Sequence, residues 1–366
     1  MGQRKGPLED MGLERSFWKN KKVLVTGHTG FKGSWLVFVL NSLGAEICGY
    51  SLAPQTTPNL FSLLNLEGLC ESHIGDIRNG ANFKKVAEDF QPDILFHLAA
   101  QPLVLYSYKD PIETYEVNVI GTLNVLEGVK NIKTLRSVVV ITTDKVYENL
   151  EDGTAYSEEN RLGGHDMYSS SKACAEIVTQ SWRSSFGKNY PQLKIATARS
   201  GNVIGGGDWA DDRLVPDVVR SISNKKPLSI RSPEAVRPWQ HVLNPTFGYL
   251  TLAQKLWDDV GNNYTDAWNF GPEVDDVKTV REMTDIMCEK WGGYTWTSPD
   301  TSNKSPMKEA NLLHLDIGKA KSNLGWRPVW DCEKSLQKTI EWYKKFYEIP
   351  EEISELTKKQ ILDYQK

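Results

Sequence analysis

The feature that most constrains the fold is a glycine-rich turn between a short apolar strand and a helix near the amino terminus. Lys22–Thr26 has the composition of a buried strand, and residues 31–43 are predicted to continue as an amphipathic helix. The turn between them places Gly27, Gly30 and Gly33 at regular intervals. This order is typical of the start of a doubly wound α/β fold, in which a helix N-terminus faces a pyrophosphate.

The first half of the chain alternates strand and helix patterns, which predicts a parallel sheet covered by helices. Ser137–Ile141 is apolar throughout, as expected of a strand that is buried on both faces. After about residue 201 the regularity breaks down. Other strands are predicted at 45–50, 93–98 and Lys194–Arg199, and helices at 111–129, 167–182, 281–291 and 333–346.

We therefore predict a Rossmann-like, doubly wound parallel sheet with a smaller, mixed C-terminal substrate domain. The dinucleotide-binding domain is expected to span residues 17–203 and to be joined by part of 242–275. The substrate-binding domain is expected to comprise 204–241 and 276–350, with a cleft between the two. Residues 1–13 are expected to form a flexible leader.

Composition and charge exclude several classes of protein. The formal net charge of -4 offers no basic excess for nucleic acid. No apolar run approaches the ~20 residues needed to span a bilayer. The amino terminus lacks the pattern of a signal peptide, which predicts a cytoplasmic protein. The five cysteines are scattered and the six histidines show no ligand spacing, so we predict free thiols and no metal.

Tyr168 and Lys172 are four residues apart on a predicted helix, and therefore lie on one face of it. A phenol is a poor base because its unperturbed pKa is near ~10. A nearby ammonium group and the positive charge of a nicotinamide would stabilise the phenolate and lower that pKa. The pair therefore predicts a tyrosine that takes a proton from a hydroxyl while hydride leaves the same carbon. The alternative is a pair on the helix surface.

Polar residues follow the apolar strand Ser137–Ile141, in the order Thr142, Thr143, Asp144 and Lys145. Ligands in open α/β sheets bind at the carboxyl ends of the strands. We therefore expect these side chains to belong to a functional site rather than to a simple turn.

Together, the glycine turn, Thr143-Asp144 and the Tyr168–Lys172 helix resemble the extended short-chain dehydrogenase/reductase family, and within it the nucleotide-sugar 4,6-dehydratases. The resemblance covers residues 21–343 and includes Asn118 and the segment 324–328. Those enzymes carry Thr-Asp-Glu after the strand, whereas this chain has Lys145 in the third position. Two roles are open for this lysine: a base that removes the sugar C5 proton, or a cation that stabilises the enolate.

The resemblance implies NAD as the cofactor. The second strand does not itself distinguish NAD from NADP, because residues 48–52 include neither an acid for the ribose hydroxyls nor an arginine for a 2′-phosphate. The expected cofactor-binding residues are Gly27, His28, Thr29, Gly30, Phe31, Lys32, Gly33, Asp76, Ile77, Leu98, Ala99, Ala100, Tyr168 and Lys172.

The resemblance also implies a nucleotide-sugar substrate. The combination of Lys145, the glycine turn and residues 202–216 is most similar to the dehydratases that act on CDP-glucose, so the resemblance implies CDP as the nucleotide. Arg237 matches a position at which an arginine clamps the diphosphate, a task that suits the planar guanidinium. We further expect a homo-oligomer, either a dimer or a tetramer. The expected substrate-binding residues are Gln101, Asn202, Arg213, Leu214, Arg237, Asn269 and Glu309.

The implied reaction is an internal redox cycle with an elimination. Tyr168, assisted by Thr143 and Lys172, takes the O4 proton as C4 is oxidised, and Asp144 protonates the C6 hydroxyl as it leaves. Hydride return to C6 gives a 4-keto-6-deoxy sugar nucleotide, a precursor for deoxysugar and lipopolysaccharide biosynthesis. One alternative is a 4-epimerase, which Asp144 disfavours because epimerisation has no leaving hydroxyl. Another is a non-enzymatic dinucleotide sensor, which Tyr168 and Lys172 disfavour.

Overall fold

A computed structural model describes residues 13–298 and 313–366 of the chain. The described residues form a central sheet of seven strands, and every neighbouring pair in it is parallel. In chain order the strands are β1 (Lys22–Thr26), β2 (Glu46–Ser51), β3 (Glu71–Ile74), β4 (Ile94–His97), β5 (Ser137–Ile141), β6 (Lys194–Arg199) and β7 (Ala267–Asn269). In space their order is β7-β6-β5-β4-β1-β2-β3. The predicted doubly wound fold class is therefore confirmed.

The strand predictions were accurate where apolar runs were long enough to be seen. β1, β5 and β6 have the predicted bounds, and β2 and β4 differ from them by one residue at each end. Three-residue β7 was not predicted as a strand because it is too short to show a period. It extends the sheet by pairing with β6, from Ala267 beside Thr197 to Asn269 beside Arg199.

Helices cover both faces of the sheet and continue through the C-terminal half. They are α1 (Arg15–Trp18), α2 (Phe31–Ser42), α3 (Leu60–Leu63), α4 (Gly80–Phe90), α5 (Val104–Lys109), α6 (Pro111–Tyr115), α7 (Gly121–Val129), α8 (Met167–Phe186), α9 (Leu214–Ser223), α10 (Leu243–Trp257), α11 (Val280–Lys290), α12 (Cys332–Glu348) and α13 (Ile353–Tyr364). Among the described residues, no helix is long and apolar enough to cross a membrane.

The prediction that residues 31–43 form an amphipathic helix was wrong in one respect. α2 is buried around most of its circumference, including Trp35, Leu36, Val37 and Val39. It contacts β1 and β2 on one side and α10 on another, so it has no broad solvent-facing stripe. A helix enclosed on several sides is apolar on all of those sides.

The predicted helix 111–129 consists of three consecutive pieces. α6 and α7 flank a π-helical turn at Glu116–Ile120, which contains Asn118. The Asn118 amide accepts from Gln101 N at 2.9 Å and donates to Ser171 Oγ at 2.9 Å. The widened turn thus directs Asn118 between the loop after β4 and helix α8, in keeping with the frequent occurrence of π turns at functional sites.

The C-terminal half adds short strand pairs to the helices. Val203–Ile204 pairs with Gln240–His241, and Val236–Arg237 pairs with Lys278–Thr279. The expected leader, residues 1–13, lies outside the described residues apart from Leu13, whose side chain is buried in the main hydrophobic core. A second core, on the opposite face of the sheet, lies beneath α4, α7 and α8.

Trp326 lies where the C-terminal segment packs against the sheet domain, so a substitution at this position would test the packing. Its fully buried ring packs edge-on against Phe270 with ring centroids 5.0 Å apart, and its Nε1 donates to Asn244 O at 3.2 Å. We expect Trp326→Ala to lower the free energy of unfolding by about 3–5 kcal/mol, because it leaves a cavity and removes a buried hydrogen bond. Urea denaturation would measure this, with exposed Val260→Ala as the control. A loss below about 1 kcal/mol would contradict the described packing.

Candidate active site

The candidate site lies where the carboxyl ends of neighbouring parallel strands meet. β1 leads into the glycine turn, β4 into residues 98–101, β5 into residues 142–145 and β6 into residues 200–202. Because all these strands run in the same direction, the segments that follow them lie at one edge of the sheet. Helix α8 lies over this edge and contributes Tyr168 and Lys172.

The glycine turn leaves the N-terminus of α2 open to an anion. This helix begins after Gly30 with no side-chain cap and no acidic residue in its first turn. Gly33 lies so close to the turn that a Cβ on it would be 2.1 Å from Gly27 O. The backbone N–H groups and positive end of the helix dipole therefore remain available, as in sites that bind a pyrophosphate.

The remaining expected cofactor residues line the ends of β3 and β4. The Asp76 carboxylate accepts from Arg78 N, Nε and Nη2 at 2.7–2.8 Å. Burial opposes ionisation of Asp76, but these hydrogen bonds outweigh it and lower its pKa. Ile77 is buried, whereas Leu98, Ala99 and Ala100 are half-buried after β4. Ala99 N donates to Thr26 Oγ1 at 3.2 Å, which holds this segment beside β1.

The polar side chains of residues 28, 29 and 32 point in different directions. His28 lies over Gly49 of β2, and its Nε2 is 2.8 Å from Ser72 Oγ of β3. Burial lowers the pKa of His28 to about 4. Thr29 Oγ1 donates to Leu52 O at 2.8 Å. Lys32 instead reaches across the sheet edge, and its Nζ donates to Ser200 Oγ at 2.9 Å. The lysine therefore links the turn to the catalytic side of the site.

Tyr168 and Lys172 lie one helical turn apart on α8, and both are buried. Lys172 Nζ donates to Ile141 O, the last carbonyl of β5, at 3.0 Å. Burial lowers the pKa of Lys172 to about 8, and Glu176 opposes this. Burial also raises the pKa of Tyr168 to about 12, against a hydrogen bond with Thr143 that lowers it. Burial therefore raises the phenol pKa of Tyr168, whereas the sequence predicted that a nearby ammonium group and a nicotinamide would lower it.

Thr143, Asp144 and Lys145 form the turn that follows β5. Thr143 Oγ1 donates to Asp144 Oδ1 at 2.9 Å, and Lys145 Nζ is 4.0 Å from the same oxygen. Asp144 is fully buried, and its Oδ2 has no hydrogen-bond partner among the described residues. A buried carboxyl oxygen without a hydrogen-bond partner is uncommon in a folded protein, which makes Asp144 a candidate for a functional role.

The expected substrate side approaches the same edge from the C-terminal half. Asn202 follows β6, and its buried Oδ1 also lacks a partner within the described part of the chain. Arg213 precedes α9, and Leu214 is the first residue of that helix. Arg213 Nη1 is 2.8 Å from Asp208 Oδ2, and its charge acts on both Tyr168 and Lys32. Arg237 is buried and donates to Val236 O at 2.9 Å.

Two expected substrate residues have hydrogen-bond partners within the protein. The Asn269 amide, at the end of β7, accepts from Tyr147 Oη at 2.7 Å and donates to Tyr156 O and Asp316 O. The Gln101 amide donates to Thr114 Oγ1 and accepts from Leu103 N, which shapes its own loop. Substrate binding by these two residues stays a prediction. Glu309 lies outside the described residues.

The fold brings several polar side chains to the site that were not predicted from the sequence. Ser200 Oγ, which accepts from Lys32, is also 2.5 Å from Tyr249 Oη on α10. Glu176 lies one turn beyond Lys172 on α8 and is ion-paired with Arg199 at the end of β6. The spacing of Tyr168, Lys172 and Glu176 was a signal that would have found Glu176, since all three lie on one face of a helix.

A doubly wound sheet with an open phosphate turn and a Tyr–Lys pair beside a strand-end Thr-Asp defines an extended short-chain dehydrogenase/reductase. The family model for GDP-mannose 4,6 dehydratase matches residues 24–339. The chain belongs to this family.

Curated relatives and solved structures are similar to the chain over nearly its whole length. It is 46% identical over 356 residues to a CDP-glucose 4,6-dehydratase of Salmonella typhimurium, covering 96% of this chain and 98% of that one. It is 26% identical to the human dTDP-D-glucose 4,6-dehydratase, covering 92% and 93%.

Two solved structures share the fold. One is the dTDP-glucose 4,6-dehydratase from Streptomyces venezuelae with NAD and TYD bound, with a TM-score of 0.73, 22% identity and coverage of 90% and 99%. The other is an epimerase from Methanothermobacter thermautotrophicus, with a TM-score of 0.77, 22% identity and coverage of 94% and 97%. Because dehydratases and epimerases share this fold, the distinction between them depends on side chains.

Lys32 gives a prediction about stability and pH. Burial and the charge of Arg213 lower the pKa of Lys32 to about 7, although Asp144 opposes them. Below that pH the folded protein holds a buried charge that the unfolded chain hydrates freely. The unfolded chain keeps this proton up to about pH 10.5, so the penalty falls as pH rises from 7.

We therefore expect Lys32→Met to stabilise the protein at pH 6.5 and to have a smaller effect at pH 9. Denaturant midpoints of wild type and variant at both pH values would measure this. Exposed Lys133→Met is the control. A stabilisation that grows with pH would contradict the described environment of Lys32.

Proposed function

We propose that the chain dehydrates CDP-glucose to CDP-4-dehydro-6-deoxy-glucose with NAD as its cofactor. The observation that carries this proposal is the buried Asp144 carboxyl, with one oxygen unpartnered, in the same site as Tyr168 and Lys172. The choice of CDP as the nucleotide is supported by the 46% identity to a CDP-glucose 4,6-dehydratase over almost the whole chain.

The fit of NAD is supported by the open helix N-terminus of α2. Backbone N–H groups of Phe31 and Lys32 would meet the pyrophosphate, and Gly33 leaves room for the turn. Asp76 and Ile77 would line the adenosine side, and residues 98–100 the central part. Bound NAD would accept hydride from C4 of the sugar and return it to C6.

The protein's own residues would supply the proton transfers. Tyr168 would take the O4 proton, helped by Thr143, with which it is hydrogen bonded. The Lys172 ammonium would stabilise the phenolate, since bringing a positive charge close lowers a phenol pKa. Asp144 would protonate the C6 hydroxyl as it leaves as water, which requires its protonated form.

Lys145 would stabilise the enolate as a cation. Its Nζ is 4.0 Å from Asp144 Oδ1 and its side chain is about a quarter exposed, at 23%. The ion-pair contact with Asp144 supports this role over that of a base.

On the substrate side, Arg213 and Arg237 would contact the diphosphate and Asn202 would hydrogen bond to it, while Leu214 would pack near the base.

We propose the division into a dinucleotide-binding domain, residues 17–203 with part of 242–275, and a sugar-nucleotide domain, residues 204–241 and 276–350. We also propose a cytoplasmic location and a role in deoxysugar supply for surface polysaccharide. The location is supported by the five cysteines, all of which are free thiols.

Epimerisation on the same scaffold is the second candidate. A solved epimerase has a fold similar to that of this chain. Asp144 is evidence against epimerisation, because an epimerase does not expel the C6 hydroxyl and needs no acid there. A dinucleotide sensor would need neither Tyr168 nor Lys172, both of which are buried at the site.

The substrate is tested by incubating the protein with NAD and CDP-, TDP-, UDP- or GDP-glucose. We expect the 4-keto-6-deoxy product from CDP-glucose, with a kcat/KM at least ~10² above that of the others, because a site that hydrogen bonds one base rejects those that cannot pair with it. Mass spectrometry of the products measures the loss of water. Comparable kcat/KM with TDP-glucose would contradict the choice of nucleotide, and a C4 epimer without water loss would contradict dehydration.

The acid is tested by Asp144→Asn. We expect turnover to fall by at least ~10², the range for loss of a general acid, while oxidation at C4 continues. Single-turnover absorbance should then show reduced nicotinamide accumulating. Asp152→Asn, in an exposed loop, is the control. Water loss at the wild-type rate in Asp144→Asn would eliminate the proposed role.

We also propose that the chain forms a homodimer through the outer face of α6, α7 and α8. Support comes from neighbouring apolar side chains exposed on these helices and on the π-helical turn between α6 and α7, namely Ile112, Ile120, Leu123, Met167 and Ile177. A second copy of the same face would bury them symmetrically.

The double variant Leu123→Glu, Ile177→Glu should therefore be monomeric by sedimentation, while Ile74→Glu, on the exposed end of β3, should match the wild type. A wild-type monomer, or a double variant that stays dimeric, would overturn this interface.

A further inference from the structure

Glu176 and Arg199 form a buried ion pair directly behind the site. Both side chains are 4% exposed, and Arg199 Nη2 is 3.0 Å from Glu176 Oε2. Arg199 Nε donates to the other carboxylate oxygen, also at 3.0 Å, so the pair is bidentate. Such pairs have a well-defined geometry because the guanidinium and carboxylate planes match. An isolated buried ion pair is often no more stabilising than apolar packing, so its contacts must show what else it does.

The pair contacts both ends of the turn that carries the proposed acid. Thr142 Oγ1 donates to Glu176 Oε1 immediately before Thr143 and Asp144. Arg199 Nη1 donates to Tyr147 Oη at 2.8 Å, three residues after Asp144. The guanidinium also lies 5.0 Å from the centre of the Tyr147 ring. The turn 142–147 is therefore held at both ends by one ion pair.

Glu176 also acts on Lys172, one turn earlier on α8. Burial lowers the pKa of Lys172 to about 8, and the Glu176 carboxylate is the charge that opposes it. Within the described part of the chain, the charge of Lys172 also acts on Lys32 from α2 and on His97 at the end of β4, and Tyr168 lies one turn earlier on α8. Of these, Lys32 repels the ammonium charge, and burial keeps His97 neutral by lowering its pKa to about 3.

The Glu176 carboxylate is saturated by protein donors. Besides Thr142 and Arg199, it accepts from Thr197 Oγ1 at 2.6 Å. It is therefore not itself available to a substrate, and its influence passes through the groups it holds.

We propose that Glu176 and Arg199 are positioning residues for the dehydration: they fix the turn that carries Thr143 and Asp144, and Glu176 holds the charge of Lys172. This rests on the proposed function, since that function assigns roles to Asp144 and Lys172. The two effects are separable because Thr142 carries the first and the negative charge of Glu176 carries the second.

The first effect is tested by substituting Thr142, because such a variant keeps both residues of the ion pair. Thr142→Val keeps the shape of the side chain and removes its donor, whereas Thr142→Ser keeps the hydroxyl. We expect Thr142→Val to lower kcat for the nucleotide-glucose about tenfold or more with KM within about twofold, because small misplacements of catalytic groups slow chemistry. Thr142→Ser should restore most of the rate. Equal rates in wild type, Val and Ser variants would overturn this positioning role.

The second effect is tested with Glu176→Gln and needs no substrate. Competitive labelling of the Lys172 amine, followed by mass spectrometry over a pH range, measures its titration directly. Removing the carboxylate removes the charge that raises the Lys172 pKa, so the titration and the alkaline limb of kcat should both move to lower pH. Thr142→Val should leave the titration unchanged. Glu127→Gln, which removes the ion pair between α7 and Lys130 and keeps an amide oxygen for Trp182 Nε1, is the control.

An unmoved Lys172 titration in folded Glu176→Gln would overturn the charge-holding role. If that variant does not fold, the Thr142 pair still decides the positioning role. Absence of dehydration in the wild type would refute the proposed function, while the labelling result would still report whether Glu176 sets the charge of Lys172.

Discussion

The site depends on one geometric constraint, the common direction of the seven strands. A parallel sheet places the carboxyl ends of β1, β4, β5 and β6 at one edge, and each of these strands delivers a different kind of group there. The glycine turn supplies N–H donors, the segment after β5 supplies Thr143 and Asp144, and the end of β6 supplies Arg199. Since parallel strands need crossover helices, α8 is brought over the same edge with Tyr168 and Lys172. No local sequence preference could assemble these groups without that shared direction.

Several cationic side chains are buried close together at the candidate site. Lys32, Lys172 and Arg213 act on one another or on the same neighbours, and burial lowers the pKa of both lysines to about 7 and about 8. Such crowding of like charges is unfavourable for the folded protein by itself. It is suited to a ligand that brings negative charge, as a nucleoside diphosphate does, because the ligand then offsets repulsion already present in the protein. Glu176 and Asp208 are carboxylates that partly balance this charge.

Some residues of the site could be predicted from a motif, whereas the partners of others could not. Tyr168 and Lys172 were identifiable because four residues make one helical turn, so spacing alone places them together. Asn269 and Gln101 were assigned to the substrate because asparagine and glutamine at those positions resemble binding residues. In the structure their amides hydrogen bond to Tyr147 and to Thr114. An amide hydrogen bonds equally well to a ligand or to a folded loop, and only the neighbours decide which.

The sequence by itself determined the parallel α/β class, the glycine turn and the helix that carries Tyr168 and Lys172, because strand composition, glycine spacing and helical periodicity are local properties of the chain. It also placed Thr143 and Asp144 at a strand end. The tertiary structure alone decided that Lys32 of the glycine turn reaches Ser200, that α2 is enclosed on several sides, and that Glu176 and Arg199 hold the turn between them. Lys32 and Ser200 are 168 positions apart in the chain. Contacts over such separations follow from how strands and helices pack, which periodicity does not encode.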